Sequence, residues 1–306
     1  MSTSMSNTRG PRISPSTWVT IKGLLFCSPW ILGLFFFFLY PMASSLYWTF
    51  TDYRIINPPQ WVGLRNYQVM VNDEIFIKSL RNTIEYAAMW LPSAILVALT
   101  LAILLNTNVR GITAYRSVYY FPVLVPAVAS AIVWRWVLDP QWGILNALLR
   151  RWGLPTPGWI GSPIWAKPSL TLIALWGVGN TVIIYLASLQ DVPRSLYDAA
   201  EVDGANIWHR IRHITIPMIT PVILFNVITG MIGAFQTFDI PYVMTQGSGE
   251  PGQSLLFYSM VLYRQAFLYL RMGMGSTMAW VMLVVILTCT LIIFTSSSRW
   301  VYYEGG

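Results

Sequence analysis

Six long apolar runs divide the chain, each near the roughly 20 residues a helix needs to cross a bilayer. They cover about residues 20–50, 82–105, 117–138, 168–189, 218–238 and 277–295. The expectation is an all-α membrane protein with six transmembrane helices. The first run follows Arg9, Arg12 and Lys22, as a signal peptide would. Its apolar stretch is too long for one and lacks a clean small-residue cleavage site. It reads as an uncleaved span. Pro92, Pro122, Pro126 and Pro221 fall inside runs, and membrane helices tolerate such prolines because neighbours re-satisfy the freed carbonyls. They predict kinks, not ends.

Composition supports the pattern. Of 306 residues 55% are hydrophobic and only 10% charged, against roughly 25% charged in soluble proteins. The 15 Trp, 16 Tyr and 14 Phe suit a membrane–water boundary. A disordered chain, a disulfide scaffold and an ordinary cytosolic enzyme are excluded. A net charge of +7 would point to nucleic acid in a soluble protein. Here the basic residues are scattered through the connections, with no run longer than Arg150 and Arg151. They read as interfacial anchors and contacts to anionic membrane lipid, with no nucleic acid. Cys27 and Cys289 lie in apolar runs, where Cys acts as a small hydrophobe.

The connections after the first, third and fifth runs are long and rich in Gly, Pro, Asn and Trp; those after the second and fourth are compact. Lys and Arg divide almost evenly between the two sides, although the compact side is denser, so the positive-inside rule favours placing it inside only weakly. The segment between runs four and five, residues 191–217, is the most structured connection. Pro193 and Ser195 open a helix, with Ser195 and Asp198 spaced as a capping box. Leu196, Ala199 and Ala200 form a small apolar strip, and Gly204 can adopt φ > 0 and reverse the chain. A second helix follows, with Ile207, Ile211 and Ile214 on one face, ended by Pro217. Such a hairpin is either a plain connector or a rigid knob able to pass force into the membrane domain.

These residues resemble the EAA loop of ABC-importer permeases, whose pattern is E-A-A, three residues, G, nine residues, I-x-L-P. Asp198, Ala199, Ala200, Gly204, Ile214, Ile216 and Pro217 fall at the matching positions, with Asp198 for Glu and Ile216 for Leu as departures. Val62-Gly63-Leu64-Arg65-Asn66-Tyr67, Asn82-Thr83, Tyr115-Arg116-Ser117 with Phe121-Pro122, and Gly143-Ile144-Leu145-Asn146 look like the sugar-type branch of that family. So do Ala205-Asn206-Ile207-Trp208 and Phe238-Asp239. Over nearly the whole chain it is similar to the maltose and glycerol-3-phosphate type inner-membrane component.

The resemblance implies the type I importer permease fold in a prokaryotic inner membrane. Residues 1–19 and 299–306 would be cytoplasmic tails around a permease domain at 20–298. The loop at 191–217 would dock on a cytoplasmic ATP-binding-cassette ATPase dimer. The other implied partners are a second permease subunit, a different chain, and an extracytoplasmic solute-binding protein. The ATPase must be separate, because no G-x-x-x-x-G-K-[ST] occurs and the chain has only Lys22, Lys78 and Lys167. No cofactor is expected. Gly177-Val-Gly179 is a fragment of a dinucleotide pattern that, in an apolar span, means close helix packing.

A solute path is sought among polar groups in the spans, which tend to face the bundle interior. Asn226, Thr229, Gly230, Gly233, Gln236 and Thr237 recur at three- and four-residue steps in run five; Trp176 and Asn180 are an i,i+4 pair in run four. Amides that bind hydroxyls and rings that stack on sugar faces are what a carbohydrate needs. The same residues also suit tight helix packing, and the sequence leaves both uses open. Asp239 reads as an interfacial cap, while Glu85 and Arg135 should snorkel or pair near span ends. His209 and His213 are spaced like a metal pair but lack a third ligand, so no metal site is expected. A membrane-embedded enzyme is a weaker reading for want of a nucleophile-and-base constellation. A secondary transporter is another, lacking clear repeats or a mid-membrane carboxylate.

Overall fold

The computed structural model describes residues 15–107 and 109–302. Most of the expected N-terminal tail and the end of the C-terminal one lie outside the described residues. Among the described residues there is no strand beyond the isolated bridges of Thr51 with Trp61 and Arg54 with Asn57. Four helices are long and apolar enough to cross a bilayer: Trp18–Trp48, Glu74–Leu105, Thr220–Thr245 and Met272–Ser297. Two more crossings are bent pairs, Ile112–Leu124 with Ala127–Val137 at 99° and Pro163–Trp176 with Gly179–Asp191 at 52°. Counting each pair once gives six spans, numbered in chain order below.

The prolines act in different ways. Pro92 sits inside Glu74–Leu105 without ending it, and Pro221 lies in the first turn of Thr220–Phe235. Pro126 is not a mere kink: Val125 before it is extended, with ψ 123°, and the helix axis turns through the 99° of the bent pair. The proline ring drives its predecessor out of the helical region, and here no neighbour restores it. At Pro41 and Pro217 the helix instead widens. The π turns Phe35–Leu39 and Ile211–Thr215 end with Tyr40 N–H bonded to Phe35 O and Ile216 N–H to Ile211 O. The extra residue in the turn relieves the clash a proline makes with the carbonyl four residues back.

Span two is the hub. It packs against both halves of span four, span five and the short helix Tyr258–Tyr263. Ala94, Ala98 and Ala102 recur every fourth residue and are buried against Val182, Tyr185 and Leu186, because small side chains let two backbones approach closely in lipid. Its first turns, with Glu74, Lys78 and Arg81, extend beyond the apolar run; Asp73 caps them by accepting from Ile75 N–H at 2.8 Å. Span one stands outside the bundle, with none of its most apolar window buried. It joins through Tyr40–Trp48, where Trp280 Nε1 donates to Ser45 Oγ at 3.1 Å.

The deepest packing lies where the sequence pattern indicated an open connection. Leu255, Leu256 and Phe257 are fully buried, beside Tyr258. This stretch after span five turns back into the bundle on the side opposite the 191–217 loop.

Candidate functional site

The loop between spans four and five folds as Arg194–Val202, a turn, and Ile207–Arg210 continuing through the π turn to Ile216–Met218. Pro193 occupies the N-cap, and no side chain caps the helix. The capping box expected from Ser195 and Asp198 is therefore not formed. A proline cap starts the helix at Arg194, which leaves Ser195 in the first turn and moves Asp198 into the second, past the free N–H groups. Asp198 and Ala199 stand exposed.

The helix ends in a Schellman motif. Ala205 N–H donates to Ala200 O at 2.8 Å and Gly204 N–H to Glu201 O at 3.0 Å, with Gly204 at φ +74°. A Cβ on Gly204 would meet nothing within 4 Å, so the need for glycine is conformational. Asn206 caps the second helix by accepting from His209 N–H at 3.0 Å. Arg210 closes the hairpin, donating to Ala205 O at 3.0 Å and pairing with Glu201 at 3.2 Å.

Two contacts root this hairpin. The Tyr197 hydroxyl lies 2.9 Å from Thr215 Oγ1. Tyr197 and Ile214 pack on the cluster containing Leu105 and Leu189. Ile214 is part-buried on that cluster, whereas Ile207 borders a shallow pocket with Leu189, Tyr197 and Ile211 and stays exposed, as do Trp208 and Val202, the last at 89%. Pro217 does not end the helix either. The break falls two residues later at buried Ile219, where Thr220 Oγ1 bonds Pro217 O at 2.6 Å. His209 and His213 stack at 5.6 Å with both Nδ1 atoms facing local oxygens.

The polar stripe of span five divides in two. Asn226 is buried and donates to Val222 O at 2.9 Å, and a Cβ on Gly230 would come within 2.6 Å of Leu91. Thr229, Gly233 and Gln236 fall at i, i+4 and i+7, and all three are exposed. Gly233 has open space where a Cβ would stand, and Gln236 ends the helix. Asp239, also exposed, opens the helix Asp239–Thr245, where its charge suits the helix dipole.

Trp176 and Asn180 are not a helical i,i+4 pair. Helix Pro163–Trp176 stops at Trp176, and the next begins at Gly179. Gly177 marks the break. Gly179 allows close approach, since a Cβ there would lie 2.7 Å from Tyr119 O. Trp176 stands edge-on to Trp134 at 5.8 Å, and Asn180 is exposed. Glu85 pairs with both Arg81, at 2.7 Å, and Lys167, tying span two to span four, whereas Arg135 is exposed.

Three asparagines in the motifs quoted above have roles that spacing alone did not reveal. Each donates through Nδ2 to two backbone carbonyls: Asn66 to Thr49 and Thr51, Asn82 to Gln253 and Leu256, Asn146 to Pro140 and Pro157.

The chain matches the model of the family described as "Binding-protein-dependent transport system inner membrane component" over residues 82–302. It is 40% identical over 288 residues, 93% of each chain, to a probable ABC transporter permease protein, YesP, of Bacillus subtilis. It is 34% identical to the arabinooligosaccharides transport system permease protein AraP of the same species, covering 88% of this chain and 86% of the relative. With the lactose transport system permease protein LacF of Rhizobium radiobacter it shares 32%, covering 92% and 96%. Its fold matches a chain in the crystal structure of a bacterial alginate ABC transporter in complex with an alginate pentasaccharide-bound periplasmic protein, at TM-score 0.79 and 23% identity, covering 93% and 95%. The bent spans, the hairpin between spans four and five and these matches place one conclusion on the molecule: the chain belongs to the inner membrane components of binding-protein-dependent transport systems and has the type I ABC importer permease fold.

Proposed function

We propose that this chain is one of two transmembrane subunits of an ATP-driven importer for a sugar, oligosaccharide or related polyol or glycerol-phosphate solute, without covalent chemistry of its own. The 191–217 hairpin is the part a separate ATPase dimer would grip, and both chain ends lie on that side. The observation that carries this reading is the geometry around Gly204. A Schellman turn, rooted by Tyr197 and Ile214, carries the exposed apolar side chains Val202, Ile207 and Trp208. Exposed apolar groups on a rigid mount are a docking surface in need of a partner. A solute-binding protein would deliver to the opposite side, and Thr229, Gly233 and Gln236, with Asn180 and Trp176, would line the path.

The test is ATP-dependent uptake into proteoliposomes holding the full complex, with lactose and arabino-oligosaccharides as first solutes. Orientation is read from single cysteines at Asn206 and Gly161 in a background freed of Cys27, which is exposed, and Cys289. Asn206 should label from the ATPase side and Gly161 from the other. Labelling of both from one side would overturn the topology.

A further inference from the structure

The ends of spans two and four, the start of span three and the first loop helix border a half-open cavity of about 510 Å³. Asn106, Arg116, Gln190, Arg194 and Tyr197 line it, and no carboxylate does. Arg116 belongs to the Tyr-Arg-Ser motif, which neither the hairpin nor the span-five face accounts for. One of its terminal nitrogens donates to Leu105 O at 3.0 Å, where a cation suits the negative end of the span-two helix. Its Nε is buried with no hydrogen-bond partner. The ion pairs among the described residues involve neither Arg116 nor Arg194.

That one bond to Leu105 O leaves the Arg116 guanidinium, a half-buried charged group, short of acceptors, which is more costly than for a neutral donor. Asn106 and Gln190 add amide donors to the two guanidinium groups. A wall of donors and positive charge calls for a ligand with several acceptor oxygens in a compact arrangement. Phosphate meets that need better than a lone carboxylate, and the fork of an arginine matches it.

We propose that this cavity is a binding site for a phosphate-bearing anion, either a phospholipid headgroup or a free phosphate. Bound there, the anion bridges Arg116 at the start of span three to Arg194 on the first loop helix. The loop hairpin is thereby tied to the membrane domain by the ligand as well as by Tyr197.

The full chain is placed in nanodiscs, with Arg116→Gln and the exposed-site variant Arg194→Gln beside it. In one arm the discs contain phosphatidylglycerol, and native mass spectrometry counts lipid retained on stripping. In the other they contain phosphatidylcholine only, and thermal unfolding is followed with inorganic phosphate or chloride at equal ionic strength. Wild type retains one phosphatidylglycerol, or is stabilised by phosphate, and the first outcome names lipid as the source, the second the free ion. Either variant binds about tenfold more weakly. Should Arg116→Gln fail to fold, Arg194→Gln carries the comparison. A wild-type chain that binds neither probe, or no better than Arg194→Gln, overturns the proposal. Acetate displacing the probe as well as phosphate does would point to a protein carboxylate and overturn it too.

Discussion

The side-chain amide of Asn82 donates to the backbone carbonyl of Leu256 at 3.0 Å, across 174 residues of sequence. The same nitrogen reaches Gln253 O at 2.8 Å, and the neighbouring Thr83 Oγ1 accepts from Tyr258 N–H at 3.0 Å. Irregular backbone that enters a bundle loses water as a partner, so its carbonyls need donors supplied by side chains. One amide nitrogen carries two hydrogens and serves two carbonyls. Asn66 and Asn146 repeat the device on other connections, Asn146 also accepting from Trp159 Nε1 at 2.7 Å.

Asn82→Leu keeps the shape and removes both donors, leaving the buried Leu256 carbonyl unpaired, while Gln253 O keeps the Leu256 N–H at 3.2 Å. The expected loss is about 1–3 kcal/mol. Thermal unfolding of the purified chain in detergent measures it. An unchanged midpoint would mean that water or a shift of residues 253–257 replaces the pin.

Asp139 offers a local pH response. Its carboxylate accepts the backbone N–H groups of Trp142 at 2.8 Å and Gln141 at 2.9 Å, which hold it below the usual aspartate range, Trp142 being the larger cause. A depressed folded-state pKa stabilises the turn above the ordinary value of about 3.9, and the contribution is lost as pH falls through the folded value. The protection of the Gln141 and Trp142 amides, taken relative to intrinsic hydrogen exchange at each pH, should therefore fall only in acid. Asp139→Asn should abolish that acid dependence. A wild-type profile that is flat down to pH 3 (roughly one unit below the ordinary value) would contradict it.

How legible all this was in the sequence depended on the range of the interaction. Span existence rests on local apolar composition, so all six runs found helices, and the Gly204 reversal followed from one residue's conformational freedom. The sharp bend at Pro126 was misread because a proline's effect in a span is decided by its neighbours, which no local pattern reveals. The capping box failed for a different reason: Pro193, two residues upstream, took the cap first. The π turn at Ile211–Thr215 was not legible either, because Pro217 induces it from further along the chain. Least legible was the burial of Leu255 to Tyr258. Its partners on span two lie far away in sequence, and the only local trace was a short apolar run among glycines and polar residues.

The span-five stripe divides into an exposed part and a buried part. Gln236 is exposed at the helix end, whereas Asn226 is buried and bonded to Val222 O. Gln236→Leu should lower uptake by about tenfold or more, as expected when a site built for hydroxyls loses a donor and acceptor, while assembly stays intact. Asn226→Leu should act mainly through stability and complex yield. Uptake in proteoliposomes, normalised to assembled complex, distinguishes the two. If Gln236→Leu transports normally, the exposed face of span five is no solute path.

Coupling gives the sharpest prediction, because the space around Gly204 is open. No atom lies within 4 Å of where its Cβ would stand, so any cost of substitution comes from φ +74° alone. A β-branched residue held in that region costs about 1–3 kcal/mol, and asparagine, which tolerates it, costs less. The strain falls on the turn that fixes Val202 relative to Ile207 and Trp208, while the spans fold by contacts elsewhere. Gly204→Val should therefore leave insertion unchanged but reduce ATPase co-purification or the stimulation of ATP hydrolysis by solute. Gly204→Asn should retain most of both. That ordering of Val below Asn is the signature of a conformational requirement, because the two have similar volume and meet no neighbour within the chain, while only Asn tolerates φ > 0. Equal behaviour of Gly204→Val and wild type in co-purification, stimulation and uptake would show that the reversal tolerates another conformation and does not transmit force.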